Sequence, residues 1–245
     1  MLGKSTAVVN GTIPSYDAER GTFLRDLFPL TGAVAGRDRF SAEAYGVRYI
    51  PDAGLLYQPP RFDEQRNACL ITTGARNSVE DDRDICVKAL AVCKEQRLRP
   101  IVLTRASSHF SDFVPEIRRM NGIFAETASL PVAAETLSQC SLHIGGRYHM
   151  AMLSLLCGVP SLLFDVKTGK NKWLSELSPL IRLVDGDGPL SQAAAEMLSQ
   201  PKHEPPSRRD LAAEYANFME EACRSAGGEQ ATAVQALLNR TGVIA

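Results

Sequence analysis

The chain has 245 residues, 44% of them hydrophobic and 22% charged, with a formal net charge of −1 from 27 basic and 28 acidic side chains. That composition is globular and long enough to bury a core in one large domain or two small ones. The near-neutral balance excludes a protein that gathers nucleic acid or an anionic membrane through a diffuse positive field, so an anionic ligand must be held by local groups.

Taken in order, residues 6–9 read as a strand and 20–27 as a short helix running into Phe28-Pro29. Residues 33–35 read as a second strand, 41–45 as a helical turn capped by Ser41, and 48–50 as a third strand ending at Pro51-Asp52. These make a partial α/β lobe over residues 1–58. Tyr57-Gln-Pro-Pro-Arg-Phe-Asp63 interrupts regular structure, because paired prolines remove donors and restrict the residue before them, and places a linker at 59–67. From Ala68 buried strands alternate with amphipathic helices: strands at 68–72, 100–104, 122–125, 142–144, 161–164 and 181–184, helices at 79–96, 112–120, 132–139, 148–157, 170–177 and 190–198. That alternation implies right-handed βαβ crossovers and a Rossmann-like, mainly parallel sheet with flanking helices over residues 68–206. A proline-rich break at 202–207 precedes two closing helices, 208–226 and 229–240, in a helical tail over 207–245.

Six cysteines, at 69, 86, 93, 140, 157 and 223, form no CxxC pair and mostly fall in apolar runs, as reduced packing residues of a cytoplasmic protein do. No run approaches the roughly 20 apolar residues of a membrane span, and the N-terminus lacks the charged-then-apolar order of a signal peptide. GxxxxGK[ST], GxGxxG and GxSxG are all missing, which disfavours a P-loop, a dinucleotide site and a serine hydrolase. Of the four histidines, His143 lies within a strand and is expected to pack, His109 and His203 have no assigned role, and no metal set is expected.

The densest chemistry is Cys140-Ser-Leu-His-Ile-Gly-Gly-Arg-Tyr-His149, a strand, a glycine turn and the start of a helix, followed by a strand entered through Gly158-Val-Pro160. In open parallel sheets ligands bind beyond the carboxyl ends of the strands. The loops there carry Thr73 to Asn77 with Arg76, Arg105 to His109, Gly145 to His149, and Asp165 to Lys170. Gly145 and Gly146 would leave backbone N–H groups uncovered at a helix N-terminus, which favours an anion. Arg147 supplies a planar fork for phosphate or carboxylate. His149, two residues on, points about 200° away around the helix; at a helix start both side chains can still reach a ligand above the first turn. Lys167 and Lys170 add point charges, with Gly169 allowing close approach.

These residues carry a resemblance. Leu142 to His149, the helix to Cys157, Gly158-Val-Pro160, Leu163-Phe-Asp-Val-Lys167 and the helix ending Leu174-Ser-Glu-Leu177 resemble the C-terminal signature of the polysaccharide pyruvyl transferase family. Upstream, Arg37-Asp38, Ser41-Ala42, Gly46-Val47 and Pro51-Asp52 are similar to the family's N-terminal segment, so that residues 6 to about 180 are covered. The resemblance implies a GT-B-like C-terminal domain and transfer of a pyruvyl group from phosphoenolpyruvate to a sugar or lipid-linked oligosaccharide, forming a ketal in the cytoplasm or at the inner face of the membrane. It implies His149 as acid/base and Arg147 as the grip on the donor. Gly145 and Gly146 would line the site, and Lys167, Arg76 and Arg37 would add charge. Tyr148 and Met150 depart from the family pattern, standing where smaller or aliphatic residues are commoner, which would narrow the pocket. It calls for no cofactor and no metal. Three alternatives stay open: a nucleotide-sugar glycosyltransferase of the same fold, a non-catalytic truncated binding module, and a homo-oligomer in which a partner chain completes the cleft.

Overall fold

A computed structural model describes residues 7–11, 18–28, 33–60, 66–73, 78–104, 107–126, 129–165, 170–184, 188–200 and 207–226. The chain divides into two compact units, residues 1–56 with 207–245, and residues 57–206.

In the first unit β1 (Ala7–Gly11), β2 (Ala33–Gly36) and β3 (Arg48–Tyr49) form a parallel sheet in that order, connected by α1 (Ala18–Leu27) and α2 (Arg39–Tyr45). The cap of α2 is Asp38 rather than the expected Ser41: its Oδ1 accepts the Ser41 N–H at 2.7 Å and its Oδ2 accepts the Ser41 hydroxyl at 2.8 Å. Both serine groups serve as donors to one carboxylate, so the helix starts two residues earlier than expected. Asp38→Ala should cost about 1–2 kcal/mol; chemical denaturation of the full chain checks this, and an unmoved midpoint would show that the cap contributes nothing.

The second unit carries, in chain order, β4 (Ala68–Thr72), α3 (Val79–Glu95), β5 (Arg99–Thr104), α4 (Val114–Arg119), β6 (Ile123–Glu126) and α5 (Leu130–Ser138). β7 (Cys140–Gly145), α6 (Tyr148–Leu156), β8 (Ser161–Phe164), α7 (Lys170–Ser175), β9 (Ile181–Val184) and α8 (Leu190–Ser199) follow. The six strands are all parallel in the order β6-β5-β4-β7-β8-β9. Strand residues alternate between two cores. Cys69 and Ile71 of β4 join Leu90, Val102 and Ile144 on one face, while Ala68 and Leu70 join Ile101, Leu137 and Leu153 on the other. Burial on both faces is why β4 reads as an unbroken apolar run.

Local chemistry sets the helix starts. Ser78 Oγ accepts the Asp81 N–H at 3.1 Å while the Asp81 carboxylate accepts the Ser78 N–H at 3.1 Å, a reciprocal box that opens α3. The helix expected at 112–120 is shorter, Val114–Arg119, because a 3-10 turn over Ser107–Phe113 comes first and Pro115 sits in the opening turn. Cys69, Cys86, Cys93 and Cys140 are buried thiols and Cys157 is half-buried. Desolvation pushes Cys86 and Cys140 up to about 12.

The last described helix, α9 (Arg208–Ala226), groups with the first unit, where Phe218 packs on Ala35 and Ile50. The Tyr215 hydroxyl donates to the Pro51 carbonyl, and Arg48 pairs with Glu221 at 2.6 Å. The closing helix expected at 229–240 lies outside the described residues. Among the described residues no helix is long and apolar enough to cross a membrane.

Candidate functional site

Strand order reverses between β4 and β7, since the chain builds outward from β4 through β5 to β6 and then returns to the other side. A ligand crevice is expected beyond the carboxyl ends of those two strands. Thr72 and Gly145, the last residues of the two strands, face each other in register. A Cβ on Gly145 would lie 3.1 Å from the Thr72 carbonyl carbon and closer still to its oxygen and Oγ1, so glycine is required here for the strands to approach. The Oγ1 that fills this space lies 2.9 Å from Nε2 of His143, whose Nδ1 is 3.1 Å from the Ser161 hydroxyl. His143 is therefore a satisfied core histidine tying β4, β7 and β8. Burial pushes its imidazole down to about 3, leaving it neutral.

Just past this pair, Arg147 takes the N-cap position of α6 in an extended conformation, φ −89° and ψ 112°. Its Nε donates to the Thr73 carbonyl at 2.9 Å and its Nη2 to Thr73 Oγ1 at 3.1 Å, so the fork spans the switch point from the end of β7 to the end of β4. Arg147 is half-buried, and no side-chain cap bond forms at the start of α6. His149, the second residue of the helix, is exposed, whereas Tyr148 is buried and stands edge-on to the His149 ring with centroids 5.4 Å apart. Tyr148 therefore backs the His149 ring from the buried side of α6.

Both glycines of the turn are buried. The Gly146 carbonyl accepts from Nδ2 of Asn171 at 3.3 Å, and the same nitrogen donates to the Phe164 carbonyl at 2.7 Å. Asn171 is fully buried, and its Oδ1 has no partner among the described residues. At the far end of α6, Arg66 donates to the carbonyls of Cys157 at 3.0 Å and Gly158 at 3.2 Å, and Gly158 turns the chain at φ +66° into β8.

Of the residues singled out in the sequence, Gly145, Gly146, Arg147, Tyr148 and His149 come together at this turn. Arg37 belongs to the first unit, where it donates to Asp52 at 2.9 Å with 14% of its side chain exposed. Arg76, Lys167 and Gly169 lie outside the described residues, as does His203. Thr73, Asn171 and Arg66 had no assigned role. Thr73 alone had a positional signal, being the first residue beyond a strand at the switch point; the other two act across distances in sequence that no local pattern marks.

Over residues 2–168 the chain matches a family model described as polysaccharide pyruvyl transferase, a span that includes Arg37, Arg147, His149 and Lys167. No curated protein matches. Among solved structures, a GtfA/B complex aligns with 96% of this chain and 52% of its own, at TM-score 0.56 and 13% identity. A point mutant of TarM of S. aureus, in complex with fondaparinux, α-GlcNAc-glycerol and UDP, aligns over 95% of this chain and 50% of its own at TM-score 0.52 and 10% identity. Accessory secretory protein 1, 2 and 3 of Streptococcus pneumoniae aligns over 92% and 47% at TM-score 0.52 and 10% identity. The chain therefore spans about half the length of each, and at these identities the likeness is one of fold, GT-B-like α/β.

Proposed function

The chain belongs to the polysaccharide pyruvyl transferase family, and on that premise we propose that it transfers a pyruvyl group from phosphoenolpyruvate to two hydroxyls of a sugar or lipid-linked oligosaccharide. The observation that carries this reading is the Arg147 fork held across the switch point by Thr73, beside exposed His149 on the first turn of α6. The backbone donors of that first turn and the positive end of the helix dipole favour the donor's phosphate or carboxylate there, and the guanidinium adds a fixed charge that cannot titrate.

In this reaction a proton adds to the methylene carbon of the enol phosphate and leaves C2 oxocarbenium-like. One sugar hydroxyl bonds to C2 and gives up its proton. The bond from C2 to the phosphate oxygen then breaks, inorganic phosphate departs, and the second hydroxyl closes the ketal as its proton is lost. His149 is assigned the proton transfers, because imidazole is the side chain that ordinarily changes charge nearest neutral pH. Arg147 is assigned the donor anion, and Lys167 and Arg76 are proposed as further charge. The mechanism calls on no metal or cofactor. The free cysteines fit a reducing, cytoplasmic compartment, at whose membrane face a lipid-linked acceptor would be met.

The test is phosphate release and label transfer from labelled phosphoenolpyruvate across a glycan panel, with nucleotide sugars as competing donors. Wild type should consume phosphoenolpyruvate and be raised in Tm by it. His149→Ala should lower kcat by about 10²-fold or more, while Arg147→Ala should chiefly weaken donor binding. Turnover of a nucleotide sugar with no response to phosphoenolpyruvate would assign the chain to glycosyl transfer instead. Stabilisation by phosphoenolpyruvate without turnover would mark a binding module.

A further inference from the structure

Asn171 sits where the β7–β8 ladder runs out. The last paired residues are Gly145 and Leu163, and the next carbonyls along each strand, Gly146 and Phe164, are the two that its Nδ2 binds, at 3.3 and 2.7 Å. Because both partners are carbonyls, the nitrogen of the amide must face them, which leaves Oδ1 as the atom without a partner among the described residues. A fully buried amide held this way replaces the missing ladder bond between the two strands at the point where α6 departs.

The Gly146 carbonyl and the Arg147 N–H belong to one peptide plane. In a trans peptide the two point opposite ways, so a bond to the carbonyl fixes the plane from which the Arg147 side chain leaves. Thr73 fixes the other end of that side chain through the guanidinium. We propose that Asn171 is a positioning residue for Arg147: it locks the Gly146–Arg147 peptide so that the guanidinium meets Thr73 across the switch point. Its effect on turnover rests on the pyruvyl-transfer reading above, whereas its effect on the placement of Arg147 does not.

The experiment uses the full chain with Asn171→Ala and, as a milder change that keeps one donor, Asn171→Ser. Hydrogen exchange of the Arg147 Nε–H, followed by nitrogen-resolved NMR, should be at least about tenfold faster in Asn171→Ala, while the β5 core amides of Ile101 to Leu103 keep their protection. Unchanged exchange at Arg147, or acceleration shared equally with β5, would overturn the proposal. Failure of both variants to fold would overturn it too, because Asn171 would then be a requirement of the whole unit. On the activity side, Asn171→Ala should lower kcat/KM for phosphoenolpyruvate by about tenfold, and by less than about threefold when Arg147 is already lysine. Equal losses in the two backgrounds would sink the link to Arg147. Should wild type leave phosphoenolpyruvate untouched, the pyruvyl-transfer reading fails, and the exchange measurement still decides what Asn171 does.

Discussion

Gly145→Ala should unfold the second unit at markedly lower denaturant, with a loss of about 3 kcal/mol or more. The argument is steric. The new methyl would meet three atoms of Thr72, two of which, the carbonyl carbon and oxygen, are backbone atoms of a strand paired on both sides and buried on both faces. A flexible side chain could swing away, but a central strand cannot move without breaking its ladders. The third atom, Thr72 Oγ1, would lose its place beside His143, leaving a buried imidazole nitrogen unsatisfied. The single tryptophan, Trp173 in α7, belongs to this unit, so its fluorescence in a urea titration reports the loss directly. Adding Thr72→Ala to the variant should recover only part of the stability, because the clash with the backbone stays. Wild-type stability in Gly145→Ala would show that the strands can separate at their ends, and that glycine serves the turn in some other way.

Much of this architecture is legible in the sequence because burial on both faces writes an uninterrupted apolar run. β4, β8 and β9 occupy the residues expected of them, 68–72, 161–164 and 181–184. Where two candidates for one role stand close together, composition does not choose: Asp38 and Ser41 are both good caps, and the choice falls to the geometry that lets one carboxylate take two donors. The site divides along the same line. Arg147 and His149 stand out because a planar cation and an imidazole follow a glycine turn at a helix N-terminus, where an anion is favoured. The clamp on Arg147 comes from Thr73, 74 residues earlier, and exists only because the sheet brings β4 beside β7. Gly145 illustrates the limit from another side. Spacing suggests a glycine that bares backbone donors to an anion, whereas the close contact with Thr72 across the sheet makes it first a requirement of strand packing. Neither Asn171, the second residue of α7, nor Arg66, in the linker, has a neighbour in sequence that hints at its carbonyl partners.

His143 should make the stability of the second unit fall as the solution is acidified from neutrality. In the unfolded chain this histidine titrates near 6.5, and in the fold burial holds it at about 3. Between these values the unfolded state binds a proton that the folded state refuses. The contribution is therefore complete above about pH 6.5 and is lost as pH falls toward 3, at up to about 1.4 kcal/mol per pH unit. Both hydroxyl partners, Thr72 and Ser161, could accept from an imidazolium, so hydrogen bonding does not forbid the charge. Desolvation in the sheet centre does, and no carboxylate is among the causes acting on this ring. His143→Gln should be less stable at pH 7, where it loses ring packing, yet should lose less with each unit of acid, so that the two curves converge near pH 4. Urea titrations followed by Trp173 at pH 7, 6, 5 and 4 measure both slopes. Surface carboxylates such as Glu196 and Asp112, held low by Arg182 and Arg83, are common to both proteins and cancel in the comparison. Parallel curves would mean that the folded protein protonates His143 as readily as the unfolded chain does.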